Sequence, residues 1–90
     1  MKCKVIGPAV YIECPGCGHL HSLHVTGRND FGAQWEWNNN LEAPTFSSSL
    51  LVKWSNKVCH SFIKDGKIQF LNDSTHELSG QTVDLPEWDQ

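Results

Sequence analysis

A chain of 90 residues is long enough for one domain, and seven basic against ten acidic side chains give it a formal net charge of −3. A domain of this size buries only about 60–65% of the surface that its unfolded chain exposes, so we expect residues 1–90 to form a single domain that something besides its apolar core stabilises. The lysines are scattered along the chain, which argues against a protein that binds duplex nucleic acid through phosphate contacts.

The N-terminal third consists of short β-prone segments around a pair of cysteines. Residues 2–6 and 9–13 are separated by Gly7-Pro8, a turn signal, and are predicted to be two strands or one interrupted strand. Residues 19–26 alternate loosely in polarity, which predicts a strand that leaves the cysteine pair. Because neither a signal peptide nor an apolar run of about 20 residues is visible, we expect a cytoplasmic protein with no membrane contact and with reduced thiols.

The middle of the chain is rich in tryptophan. Trp35 and Trp37 share one face of a strand predicted over residues 34–38, and Trp54 ends another predicted over residues 50–54. These three side chains are a candidate interaction surface, although tryptophan in a small domain more commonly fills the core.

The clearest hairpin joins residues 58–64 to residues 67–71 through Asp65-Gly66, the dipeptide that a type I′ turn prefers. After it, Ser74 and Glu77 have the spacing of a capping box and Gly80 that of a helix stop, which predicts one helical turn before a last strand over residues 81–85. The chain is therefore predicted to be mainly β, with antiparallel hairpins around a zinc knuckle in the manner of a zinc ribbon.

The knuckle is the sequence Cys14-Pro15-Gly16-Cys17-Gly18. Two thiolates at this spacing can bind one metal ion, because the Pro-Gly pair turns the backbone sharply between them. A redox motif of the same spacing would open a helix in a βαβ unit, which is absent from the predicted elements. We therefore predict a Zn²⁺ site.

The third ligand is predicted to be Cys59, whereas the fourth is contested among His60, His76 and the knuckle histidines His19 and His21. Cys59 and His60 are neighbours on a predicted strand and should point to opposite faces, which argues against both binding one ion unless a bulge intervenes.

Five segments together resemble a functionally uncharacterised family of small phage and prophage proteins, some of which carry an ammonia monooxygenase label. The segments are CPGCGH at 14–19, WEWN at 35–38, PTFSSSL at 44–50, CHSFIKDGKIQF at 59–70 and THELSGQTVDLP at 75–86. The resemblance implies a mobile-element origin and zinc binding, and it supplies no activity.

The chain is also similar to another bacterial domain of unknown function, in which a cysteine knuckle is followed by Cys-x-x-His and a hairpin. Alignment of the hairpins implies His60 as the fourth ligand, so the resulting set is Cys14, Cys17, Cys59 and His60, with His76 as the alternative.

Three functions remain open from the sequence. The first is a non-enzymatic module with a structural zinc ion that binds and modulates a host or phage protein, and the second is a zinc ribbon whose tryptophans stack on single-stranded nucleic acid. The third is a zinc-dependent hydrolase with Glu77 or Asp73 as base and a cleft lined by Thr45 and residues 47–49. We expect the first of these, and the sequence specifies no oligomeric state.

Overall fold

The structure is a computed structural model that describes residues 1–88, and over this range it contains seven β-strands and no helix. The prediction of a mainly β fold is therefore confirmed. No described segment is a helix that could cross a membrane. The strands are Lys4–Ile6 (β1), Ala9–Glu13 (β2), Leu20–His24 (β3), Leu50–Trp54 (β4), Lys57–Lys64 (β5), Lys67–Phe70 (β6) and Thr82–Asp84 (β7).

The strands form two antiparallel sheets. The first has the order β1-β2-β3, and the knuckle joins β2 to β3 at one end of this sheet. The second has the order β4-β5-β6-β7, and its central hairpin turns at Asp65 and Gly66, whose φ angles are 53° and 78°. Positive φ at both positions is what the predicted type I′ turn requires, so that prediction is confirmed.

The two sheets pack their apolar faces together. Val10, Ile12 and Leu23 of the first sheet are fully buried, as are Ile68 and Phe70 of the second. Side chains alternate between the two faces of a strand, so every second residue of β5 points into this core and the residues between them point outward.

Two predicted elements are absent from the structure. The segment 34–38 is not a strand, since it makes only a single bridge between Trp37 and Phe46, whose rings stack 6.3 Å apart. Residues 74–80 form turns rather than a helical turn, because the Ser74 hydroxyl is bonded to the backbone of His60 on β5 and caps nothing.

Candidate metal centre and candidate active site

Four side chains from both sheets meet at the knuckle. The ligand atoms of Cys14, Cys17, His21 and Cys59 all lie within 4.8 Å of one another, and only Cys17 is more than marginally accessible. The sulfurs of Cys14 and Cys59 are 3.8 Å apart, far longer than the disulfide bond length of about 2.05 Å. Two thiolates bound tetrahedrally at about 2.3 Å from one metal ion would be separated by about 3.8 Å, so the spacing suits a shared ion.

The turn between the two knuckle cysteines is held by its own backbone. The Cys17 N–H donates to the Cys14 sulfur at 3.4 Å, and the Gly18 N–H donates to the Cys14 carbonyl at 2.9 Å. Gly18 has a φ of 76°, a conformation that glycine adopts without the steric penalty of a side chain. The short turn thus aims both sulfurs at the same point.

His21 supplies the observation that tests the fit of a metal ion. This side chain is only 5% exposed, and its Nε2 atom is buried without a hydrogen-bond partner among the described residues. A buried, unpaired imidazole nitrogen is costly, whereas a metal ion beside three sulfurs would satisfy it. The cluster therefore fits a metal ion, with His21 as the fourth donor.

The thiols of the cluster also shift one another's pKa values. The hydrogen bond from Cys59 lowers the pKa of Cys14 to about 3, and that same bond raises the pKa of Cys59. Burial raises the pKa of Cys17 to about 11. The Cys14 thiol therefore ionises more readily than the thiols of Cys17 and Cys59. A divalent cation would favour the thiolate form of all three.

His76, the alternative fourth ligand of the sequence analysis, lies beside the centre. Its Nε2 atom is 3.5 Å from the Cys59 sulfur, and its Nδ1 atom accepts the Leu78 N–H at 3.2 Å. Because Nδ1 accepts, the proton of the neutral ring resides on Nε2, which then donates to the sulfur. The ring packs edge-on against Phe70, with centroids 4.3 Å apart, and this contact fixes its orientation.

The structure thus brings together three of the four sequence-assigned ligands, namely Cys14, Cys17 and Cys59, with His21 as the fourth donor in place of His60. His60 follows Cys59 on β5 and points to the opposite, outer face of the sheet, as alternation requires. Cys3 is fully buried and lies outside the cluster, and burial raises the pKa of its thiol to about 11.

On the outer face, His60 lies between a serine and an aspartate. Its Nε2 atom is 3.0 Å from the Ser49 Oγ, and its Nδ1 atom is 3.0 Å from one carboxylate oxygen of Asp73 and 3.2 Å from the other. The side chain of His60 is 24% exposed and that of Asp73 is 58% exposed, so the site is open to solvent. A hydroxyl, an imidazole and a carboxylate in this succession form the nucleophile, base and orienting group of a serine hydrolase.

The contacts also fix the tautomer of the His60 ring. A carboxylate can only accept, so the Nδ1 atom of His60 carries the proton and donates it to Asp73. The Nε2 atom of the neutral ring therefore has a free lone pair and accepts the Ser49 hydroxyl proton. This is the tautomer in which an imidazole can act as a general base toward serine.

Three neighbouring elements position these side chains. Leu51 lies opposite His60 in the register of β4 and β5, which places Ser49, two residues earlier, next to the imidazole on the outer face. Asp73 lies in the turn after β6, and its neighbour Ser74 accepts the His60 N–H and donates to the His60 carbonyl, both at 3.0 Å.

The backbone just before Ser49 is unusual. Ser48 has a φ of 65°, a strained backbone geometry of a kind that clusters at functional sites.

The tryptophans proposed as an interaction surface are placed differently from one another. Trp35 is 9% exposed and belongs to the core, and its indole N–H donates to the Ser49 carbonyl at 3.2 Å. Trp37 and Trp54 are half-buried, and Trp54 packs against the ring of His19.

Sequence reasoning missed the combination of Ser49, His60 and Asp73, although it mentioned each of them in another role. The signal was the adjacency of Cys59 and His60. If Cys59 faces the metal, then His60 faces outward and is free for other chemistry.

Comparison with known families adds an independent finding. The model of a family described as bacterial ubiquitination-like system serine protease (BubE) matches residues 3–71. No curated protein and no solved structure matches the chain. The matched range includes the whole metal cluster, Ser49 and His60, and it ends two residues before Asp73. Since it covers far more than half of the 90 residues, the chain belongs to the BubE family.

Proposed function

We propose that the protein is a serine hydrolase that cleaves an acyl bond in a polypeptide, with Ser49 as nucleophile, His60 as general base and Asp73 as the group that orients His60. The observation that carries the proposal is the pair of 3.0 Å contacts from the two nitrogens of His60 to Ser49 and Asp73. The family description, which names a serine protease, supports the same chemistry.

In this mechanism the Ser49 oxygen attacks the carbonyl carbon while its proton passes to the His60 Nε2 atom. The imidazolium that forms is stabilised by Asp73 and then gives the proton to the leaving group, which departs as the acyl–Ser49 ester forms. Water, deprotonated by the neutral His60, hydrolyses that ester and restores the Ser49 hydroxyl.

We further propose that the metal is Zn²⁺ and that its role is structural. Three sulfur ligands and one imidazole are a common tetrahedral set for zinc, and four protein ligands leave no position for a reacting water. The ion would cross-link the two sheets, since Cys14, Cys17 and His21 belong to the first sheet and its knuckle while Cys59 belongs to the second. This arrangement does not support the zinc-dependent hydrolase considered from the sequence.

The experiment that tests the function is covalent labelling with a fluorophosphonate, which phosphonylates an activated serine and releases fluoride. We expect labelling at Ser49, identified by mass spectrometry, no labelling at this position in Ser49→Ala, which lacks the nucleophile, and a labelling rate about 10⁴- to 10⁶-fold lower for His60→Gln. Ser55→Gly is the matched control, because Ser55 lies in the β4–β5 turn at a φ of 55°, a backbone conformation that glycine adopts without steric cost.

If the control and Ser49→Ala were labelled at equal rates, the assignment of Ser49 as the nucleophile would be refuted. Metal content and circular dichroism of each variant distinguish a lost hydroxyl from a lost fold. Asp73→Asn, which retains the shape of the side chain but removes its charge, should label far more slowly than the wild type, because the amide no longer favours the productive tautomer.

A second candidate is the non-enzymatic interaction module expected from the sequence. Phe31 favours it, since this aromatic side chain is 95% exposed in a loop. A host or phage protein as partner, a mobile-element origin and a cytoplasmic location belong to this hypothesis and stay predictions. Binding without turnover, unaffected by Ser49→Ala, would favour it over the hydrolase. The burial of Trp35 argues against the hypothesis that single-stranded nucleic acid stacks on the tryptophans.

A further inference from the structure

The free edge of β4 begins beside the proposed nucleophile. β4 is the last strand of its sheet, with only β5 as a neighbour in the part of the chain that the structure describes. On β5, the His60 N–H donates to Ser74 and the His60 carbonyl accepts from Leu71, so both groups point away from β4. Leu51, the partner of His60, is therefore in a non-hydrogen-bonded pair, and its own N–H and C=O point to the free edge.

The same geometry repeats two residues further along. The Val58 N–H donates to the Thr75 hydroxyl, and the Val58 carbonyl accepts the Thr75 N–H. Lys53, the partner of Val58, therefore also turns its backbone groups to the free edge. Leu51 and Lys53 thus offer an incoming chain two successive pairs of backbone donors and acceptors.

This edge lines a cleft of about 510 Å³ between β3 and β4. At one end, the Trp35 backbone N–H donates to the His24 carbonyl while its indole N–H donates to the Ser49 carbonyl. At the other end, the rings of His19 and Trp54 are 5.4 Å apart. The two strands therefore run in opposite directions along the cleft, and the end at Trp35 is the end at Ser49.

The lining of the cleft combines polar side chains with a set of exposed apolar ones. Leu20, Phe31 and Leu51 are 47%, 95% and 49% exposed, and all three line it. Among the cleft-lining residues in the described range, Lys53 alone carries a formal charge at neutral pH. Lys53 lies four residues after Ser49, which corresponds to about 13 Å of extended chain.

From these observations we propose that the acyl portion of the substrate binds in this cleft as an extended strand, paired to Leu51 and Lys53, with apolar side chains and an acidic group near Lys53. The inference rests on the proposed hydrolase. The acyl portion is chosen because it remains attached to Ser49 until the second step, so contacts to it act in both steps. Backbone pairing supplies the affinity in this mode of recognition, and alternate side chains supply the selectivity.

The test compares two diphenyl phosphonates, which react with an activated serine and release phenol. One carries the peptide acetyl-Glu-Leu-Val-Ala-Gly, and the other carries acetyl-Gly alone. We expect the long probe to label Ser49 at least about tenfold faster, because two or more strand hydrogen bonds of ordinary strength correspond to that factor. N-methylation of alternate amides of the long probe should remove the advantage.

Leu51→Pro tests the same edge from the side of the protein. Proline lacks the N–H that would pair with the probe, and an edge strand tolerates proline where that N–H faces outward. We expect the long probe to lose its rate advantage over the short probe in this variant, and this ratio cancels any change in the reactivity of Ser49 itself. Phe31→Ser should reduce the advantage as well, whereas Val5→Ser, which removes a 48% exposed side chain on β1, should not.

The outcomes separate the two proposals. Failure of every phosphonate and fluorophosphonate to label Ser49 would overturn the hydrolase and this inference with it. Normal fluorophosphonate labelling combined with equal rates for the long, short and N-methylated probes would overturn only the proposal that the substrate binds as an extended strand, and the proposed hydrolase would stand. The N-methylated probe uses the wild-type protein, so this result does not depend on the folding of Leu51→Pro.

Discussion

At the scale of single residues, His60 and His76, which the sequence analysis assigned to the fourth ligand position, differ in their contacts from His21, which lies in the cluster. His21 offers an unpaired Nε2 atom to the three sulfurs, whereas His60 has both ring nitrogens engaged on the outer face. His76 presents an N–H to the Cys59 sulfur and so acts on the ligand rather than on the ion.

We therefore expect His76→Phe to weaken metal binding by about 10- to 100-fold, because it keeps the ring on Phe70 but removes the N–H donor to Cys59. His21→Ala should weaken binding more, since it removes a ligand. His60→Ala is the matched comparison and should leave the affinity unchanged. Competition with a chromophoric zinc chelator measures all three, and a loss for His60→Ala equal to that for His21→Ala would contradict the assignment.

The ligands show how far local sequence rules extend. The knuckle could be predicted because its spacing and its Pro-Gly turn are local features. His21 could not be selected among five histidines, because that choice depends on the register of β2 and β3, which places it opposite Ile12. The group of Ser49, His60 and Asp73 depends on contacts across 11 and 13 residues of sequence, and no local motif encodes it.

At the scale of elements, the segment after β6 is attached to β5 by hydroxyl groups. Ser74 bonds the N–H and C=O of His60, and Thr75 bonds the same two groups of Val58. These side chains replace a partner strand along this stretch of β5. They also explain the failed prediction of a helical turn, since the hydroxyl that would have capped it is already engaged.

The two hydroxyls allow a matched comparison. Ser74→Ala and Thr75→Val should each cost about 1–3 kcal/mol in the free energy of unfolding, because each leaves one backbone N–H of β5, that of His60 or of Val58, without its partner. Only Ser74→Ala should also slow fluorophosphonate labelling at Ser49, since Ser74 holds the residue that carries the base. Chemical denaturation and labelling rates measure the two effects. Equal labelling rates for the two variants would show that Ser74 affects stability alone.

The elements also differ in how well the sequence predicted them. The hairpin at Asp65-Gly66 was predicted correctly because its turn requires a particular dipeptide. The strand expected at residues 34–38 is absent, because the Trp35 N–H bonds to β3 while Trp37 faces a single residue, Phe46. Its β propensity was overridden by partners that are distant in sequence.

At the scale of the whole molecule, the candidate metal centre lies between two small sheets whose combined core is limited by the length of the chain. We expect chelation to lower the melting temperature by more than 10 °C, since about 1 kcal/mol corresponds to roughly 4–8 °C in a domain of this size and a structural zinc ion contributes several kcal/mol. Differential scanning calorimetry with and without chelator measures the shift.

The control for that experiment is Cys3→Ala. Cys3 is buried but lies outside the cluster, so this variant should retain the full metal content and the full effect of chelation. Cys59→Ser should behave as chelated protein from the outset, and its labelling at Ser49 should fall in parallel. If chelation left the melting temperature of the wild-type protein unchanged, the proposal that the ion has a structural role would be refuted.

The alternation of Cys59 and His60 on β5 has a consequence for how the chain matures. A slip of one residue in the pairing of β5 would turn the thiol outward and the imidazole inward, so the ion and the nucleophile would both lose their partners. Under the proposed function, binding of the ion by Cys59 would therefore select the pairing register in which His60 faces Ser49. Under the same proposal, a chain that has not yet bound its ion would lack the aligned base, so metal binding would have to precede hydrolysis.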